Sequence, residues 1–355
     1  MSSFTAQMPS KFKMTLYTLI LVILPIIWMT ALAGAGLLVH SDWFWFFFPA
    51  LENYTSGLSP YAIDGIFNPP WFFLLFAPFE WIGYIPSALI IEFSTLMLLY
   101  ITVLWLTDTR KQTLIALILL SPLNLYVLNQ IWLAQVDVIL TFSGILLTLS
   151  VARKTSNYVW YAGLALVLLS LKPPSGLWIA VYIFWLVPIK QWWKMLIIPL
   201  CVGAMSLLLD FNLLLEFITV MQTRLGYSER ALWDVTIFGF TDYYGASQWI
   251  TVSIGLLVLA WIVYLWRKNE NHADRIMLMT IAGLLLNAYV GWHHLVLLFA
   301  ISVPLLLRRS QHPALITTLV LIGFVPLIRY LFLGADILPA FVVLILITVT
   351  TPHEK

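Results

Sequence analysis

The chain is a succession of long apolar runs separated by short charged or Gly/Pro-containing punctuation, at 16–39, 86–106, 112–128, 137–152, 157–171, 175–189, 194–209, 248–266, 276–290, 294–307, 314–331 and 337–350. Runs of this length predict about twelve membrane-crossing α-helices, the shorter ones tilted or set in a thinned boundary. The expected architecture is therefore an all-α membrane protein, a single polytopic domain over residues 1–355. The first run follows Lys11 and Lys13 and holds about 24 residues, more than the roughly 7–15 of a signal-peptide core, so it reads as an uncleaved first helix. The stretch 67–79 lies between Asn68-Pro69-Pro70 and Pro78-Phe79-Glu80. At about a dozen residues it is too short to cross, and predicts a re-entrant or interfacial element.

Charge orients these runs. With the N-terminus cytoplasmic, Lys11, Lys13, Arg110, Lys111, Arg153, Lys154, Lys190, Lys194, Arg267, Lys268, Arg275, Arg308, Arg309 and Lys355 fall inside, and only Lys172, Arg224, Arg230 and Arg329 outside. Lysine and arginine concentrate on the cytoplasmic side, so both termini are expected there. Most acidic residues sort the other way, with Glu92 alone inside a span. Two long connections, about 40–85 and 210–247, both fall outside, and a working site has room there.

Composition then narrows the class. Hydrophobic residues make up 62% and charged residues 10%, against roughly 25% charged in soluble domains. Such a chain has membrane lipids for most of its surroundings, and its 17 Trp suit the two bilayer interfaces. A formal net charge of +2 gives no footprint for nucleic acid. Cys201, the only cysteine, excludes an intrachain disulfide and reads as a helix-packing residue. Compact loops favour a bacterial plasma membrane.

Several residues on the outer face have chemistry to offer. Asp42 stands just beyond the first helix and precedes the aromatic run Trp43-Phe44-Trp45-Phe46-Phe47-Phe48, which would lie flat at the interface and hold the carboxylate at head-group depth. On position alone it either ends the helix in solvent or serves a reaction. Lys172, ahead of Pro173-Pro174, is either a snorkelling lysine or a phosphate contact. His293 and His294 either pair at the interface or meet phosphate or acceptor; adjacent histidines without a second spaced ligand make a poor metal site, and no metal is expected. Arg224 and Arg230, flanking Tyr227, either bind phosphate or pair with Glu229 or Asp234. Gln135 and Asp137 end a span where sugar hydroxyls would reach them. Glu92, a carboxyl inside a span with no second buried charge, reads as a hydrogen-bonded or protonated packing residue.

The order of these motifs resembles a known group. Asp42 with its aromatic run, Gly57-x-x-Pro60-Tyr61 and Phe67-Asn68-Pro69-Pro70 resemble the opening of polytopic glycosyltransferases of the GT-C fold, and more narrowly of family 87, the polyprenyl-phosphate-mannose-dependent α-mannosyltransferases. Asn68 stands where that family usually has tyrosine. Downstream, the stretch Asn129 to Asp137 is similar to the family's Gly-Gln-Val-Asn stretch, with Ala134 for Gly and Asp137 for Asn, Leu171-Lys172-Pro173-Pro174 to its Lys-x-x-Pro region, and Trp292-His293-His294 to its Trp-x-His-His element. The resemblance covers residues 40 to 300. It implies a GT-C-like fold with interfacial helices in the first long loop, and a hexosyltransferase activity needing no cofactor. Its donor would be a polyprenyl-phosphate sugar, with mannose the implied sugar, and its acceptor a glycolipid or glycan. It implies Asp42 as general base, with Lys172, His293, His294, Gln135, Asp137, Tyr61, Arg224 and Arg230 at the substrates. A phosphate leaves without needing a proton, so one carboxylate suffices, and attack from the opposite face inverts the anomeric centre. The rival from another class is a secondary transporter or lipid flippase, which predicts several mid-span charges and matched broken helices. Another GT-C enzyme with a different lipid-linked sugar is the nearer alternative.

Overall fold

The computed structural model describes residues 19–35, 42–224, 234–287, 290–328, 332 and 334–351. Within them the chain is helical throughout, the one β-type contact being an isolated antiparallel bridge between Asp234 and Gly291. Lipid offers no partner for backbone N–H and C=O groups, and the helix satisfies both within the segment. A π-helical turn, Leu19–Ile23, leads into α1 (Leu24–Gly34). The first long loop holds a second π-turn, Trp43–Phe47, running into α2 (Phe48–Thr55), then a 3₁₀ turn, Pro60–Ala62, and α3 (Pro70–Ile82). There follow α4 (Tyr84–Leu106), α5 (Arg110–Leu119), α6 (Leu125–Leu133), α7 (Val136–Ala152), α8 (Tyr158–Ser170), α9 (Pro173–Leu186), α10 (Trp192–Leu209) and α11 (Phe211–Arg224). The remainder is α12 (Ile237–Tyr243), α13 (Gln248–Lys268), α14 (His272–Leu285), a 3₁₀ turn at Trp292–His294, α15 (Leu295–Arg309), α16 (Pro313–Gly323) and α17 (Leu338–Thr350).

Helix ends fall where polar side chains take over backbone bonding. Thr109 and Gln112 form a reciprocal capping box on α5, and Asn124 and Asn271 accept from Tyr126 N–H and Ala273 N–H to start α6 and α14. Among the described residues, four helical stretches are long and apolar enough to cross a membrane: Tyr84–Leu106, Ile189–Leu209, Gln248–Lys268 and Trp292–Arg309. The bent pair α6–α7 makes a fifth if it counts as one span. The other apolar helices are shorter than the sequence pattern implied. The run 112–128 is two helices, because Pro122 has no N–H to give and the side chains of Ser121 and Asn124 turn back onto the Ile118 and Leu119 carbonyls, at 2.8 and 3.2 Å. The run 276–290 stops at Leu285, and 314–331 stops at Gly323 ahead of a 3₁₀ turn containing Pro326.

The bundle has an inside and a lipid-like outside. Of the residues in Trp292–Arg309, 78% are buried, against 11% in the most apolar 18 residues of Ile189–Leu209, which turns Leu200, Leu208 and Leu209 outward. Small residues set the tightest contacts. A Cβ on Gly163 of α8 would lie 2.4 Å from the Met195 carbonyl oxygen of α10, so only glycine permits that approach.

Its two ends differ in chemistry. At one, Arg308 pairs with Asp108 at 2.7 Å and Arg309 with Asp274 at 2.7 Å, and the Arg275 guanidinium lies over the rings of Trp185 and Trp266. His272 sits there against the Tyr182 hydroxyl, at 2.7 Å; burial first, then Arg275 and Lys154, lower its pKa. At the other end, reached along the roughly 34 Å of α4, the first loop folds against the ends of α7 and α8 and against α11 around an aromatic core.

Candidate active site

The site is built outward from Trp43. Its ring is fully buried, its indole N–H donates to Ser87 Oγ at 2.8 Å, and Phe47 and Phe79 pack on it at ring separations of 6.2 and 6.0 Å. The aromatic run is two-faced. It winds as a π-turn and helix that put Trp43 and Phe47 into the core and leave Phe44 and Trp45 exposed.

Anchoring Trp43 fixes its neighbour. Asp42 is half-buried, and its Oδ2 accepts a hydrogen bond from the Gln135 side-chain amide. Gln135 reaches it from a bend. Ala134 takes a left-handed conformation, φ 45°, and the chain bends there by 118° between α6 and α7. The buried Gln130 donates its own amide to the Gln135 carbonyl at 2.9 Å, so a glutamine on the preceding helix pins the bend. Gln130 lies in the stretch 129–137 that carries the family resemblance but is given no role by sequence reasoning; its place beside Asn129, five residues before Gln135, is the available signal. The side chain of Asp137, two residues on, lies outside the described residues.

The next segment of the loop is tied to Lys172. Tyr61 donates its hydroxyl to the Asn68 carbonyl at 2.9 Å, the Asn68 amide donates to the Leu171 carbonyl at 3.2 Å, and the Trp71 indole donates to Ser170 Oγ at 3.1 Å. Asn68 thus reaches across to the α8–α9 junction with a side-chain amide, which a tyrosine lacks. Tyr61 is itself buried, and that burial, followed by the nearby Glu216 carboxylate, raises its pKa. Lys172 is half-buried and stands at the N-cap of α9, with Pro173 and Pro174 in the first turn and its carbonyl accepting from Gly176 N–H at 3.1 Å. From α11, Glu216 accepts from the Ser59 hydroxyl and clips the second long connection onto the first.

The histidine pair sits on a separate support. His293 and His294 form a 3₁₀ turn with Trp292; their rings are 4.3 Å apart, His294 is fully buried, and its Nδ1 lies 3.3 Å from the Gly291 carbonyl. Asp234 holds the approach to that turn by accepting from Thr236 and Val290 N–H, both at 3.0 Å. Trp292 packs edge-on against Tyr126, 6.0 Å between rings, at the start of α6. One short helix therefore carries contacts to both groups: Tyr126 toward the histidine turn and, just past its end, Gln135 to Asp42. Arg230 lies outside the described residues, and so does the side chain of Arg224.

The model of glycosyltransferase family 87 matches residues 67–290. The chain belongs to glycosyltransferase family 87. No curated protein and no solved structure matches it. The matched segment of this glycosyltransferase contains Asn68, Gln135 and Lys172, while Asp42 precedes it and His293-His294 follow it. Family membership sets aside the transporter and flippase alternative: the protein is a glycosyltransferase, acting between a sugar donor and an acceptor.

Proposed function

We propose that this glycosyltransferase transfers a hexose, mannose by family resemblance, from a polyprenyl-phosphate donor to a hydroxyl of a glycolipid or glycan, with inversion. Asp42 takes the proton of the acceptor hydroxyl as its oxygen forms the bond to the anomeric carbon, and the bond from that carbon to the phosphate oxygen breaks. The electron pair leaves with the polyprenyl phosphate, which needs no acid. Lys172 is the cation for the departing phosphate, with His293, His294 and the arginines Arg224 and Arg230 as further donors. Gln135 orients Asp42. Asp137 is proposed at the sugar, and Tyr61 acts by shaping the loop beneath it.

The observation that carries this reading is the Asp42–Gln135 hydrogen bond, which joins the first loop to the bend between α6 and α7 inside a family 87 chain. We place the site on the extracytoplasmic face of a bacterial plasma membrane, in a protein of about twelve spans with both termini cytoplasmic. Support comes from how the ends sort. Asp108, Asp274, Arg275, Arg308 and Arg309, all assigned inside by charge, lie at one end, and the Asp42–Gln135 and Asn68–Leu171 contacts, between segments assigned outside, lie at the other.

The test is transfer from radiolabelled polyprenyl-phosphate mannose in membranes. Asp42→Asn is expected to fold normally and to lose at least about 10²-fold in turnover. Transfer at the native rate would remove Asp42 from the chemistry.

A further inference from the structure

The basic residues at the end of the bundle away from Asp42 are of two kinds. Arg308 and Arg309 each face a carboxylate, Asp108 and Asp274, at 2.7 Å. Arg275 and Lys154 pair with none among the described residues: Asp274 is committed to Arg309, and Glu270 is exposed and pairs with neither. Arg275 donates its Nε to the Asn269 carbonyl at 2.8 Å, and Lys154 stands exposed in the turn between α7 and α8. His272 brings these two cations together. It opens α14, its ring meets the Tyr182 hydroxyl, and burial, then Arg275 and Lys154, lower its pKa, so both positive charges act on one imidazole. Three basic side chains thus crowd together, and a bound negative charge would relieve their mutual repulsion.

Backbone and rings point the same way. Lys154 has φ 48°, a left-handed conformation that glycine adopts freely and other residues seldom do, yet the turn carries a lysine. The Arg275 guanidinium lies 5.2 and 5.3 Å from the ring centres of Trp185 and Trp266, which hold it while its forked Nη groups suit two oxygens of a phosphate. Trp185 is 59% exposed, and Val181, one turn before it on α9, is 54% exposed. The basic cluster therefore borders an apolar surface of the kind that faces lipid, and tryptophan at such a border marks the depth of head groups.

We propose that the phosphate of an anionic phospholipid binds here, paired with Arg275 and Lys154 and hydrogen-bonded by His272, with its acyl chains against Val181 and Trp185. When Nδ1 of His272 accepts from the Tyr182 hydroxyl, the neutral ring carries its proton on Nε2 and donates from there. A zwitterionic head group fits less well, since it brings its own cation into a basic cluster. A soluble phosphate has the charge but gains nothing from the apolar border. The site is separate from the Asp42 end, and the inference does not rest on the sugar transfer proposed above.

The full chain in detergent is titrated with dioleoylphosphatidylglycerol or dioleoylphosphatidylcholine, and bound lipid is counted by native mass spectrometry. Native protein is expected to bind phosphatidylglycerol at least about tenfold more tightly than phosphatidylcholine. Lys154→Gln and Arg275→Gln should each weaken phosphatidylglycerol about fivefold, the usual worth of one basic residue beside an anionic lipid, and leave phosphatidylcholine unchanged. Lys111→Gln removes an exposed cation that does not act on His272, and should match native. Because Lys154 is exposed, its variant keeps the fold and decides the matter even where Arg275→Gln does not fold. No preference for phosphatidylglycerol, an equal loss in Lys111→Gln, or displacement of the lipid by millimolar inorganic phosphate would overturn the proposal, the last by making this a site for soluble anions.

Discussion

Gln135 holds Asp42 from a position that no local rule foretells: a side chain just past a left-handed alanine, backed by Gln130. In the proposed reaction its amide is a positioning group, and a displacement of about 1 Å at a reacting atom costs on the order of 10²-fold. Gln135→Leu is therefore expected to lower kcat at least about tenfold with the donor KM little changed. The effect should vanish in an Asp42→Asn background, since the two act as one unit. Steady-state kinetics on the single and double variants check this, and independent additive losses would detach Gln135 from Asp42. Asp42 was legible as a candidate because it follows an apolar run and precedes aromatic residues. Its amide partner, separated by 93 positions in the chain, was legible only as a polar residue at a span end.

At the level of elements, long apolar runs predicted helices well because a backbone in lipid has no alternative to internal hydrogen bonds. Their ends and breaks were less legible, since Ser121-Pro122 and Pro326 interrupt runs that hydropathy alone reads as continuous. Packing between elements depends on size rather than polarity. Gly163 lets α8 lie on the Met195 carbonyl of α10. Gly163→Val forces that contact apart and is expected to cost about 1–3 kcal/mol, the usual range for overpacking. Thermal unfolding in detergent measures it as a lowered midpoint; an unchanged midpoint would mean the helices reseat freely.

Across the whole molecule the proposed orientation predicts which surfaces a membrane-impermeant thiol reagent reaches. In a Cys201→Ser background, Ser56→Cys in the first loop is expected to label in intact cells. Lys111→Cys at the other end is expected to label only after permeabilisation. Both positions are exposed, so access rather than burial decides the result. Reversed labelling would invert the topology and put Asp42 on the cytoplasmic side. By itself the sequence determined that the chain is helical and lipid-embedded, and it sorted basic from acidic connections, because hydropathy and charge are properties of each segment alone. It also carried the family, through short motifs in order. Only the tertiary structure decided which of those motifs come into contact. The Asp42–Gln135 contact and the Asn68 tie to Leu171 join segments far apart in the chain, brought together by ring packing, a left-handed turn and glycine-sized gaps that leave no periodic signal in the sequence.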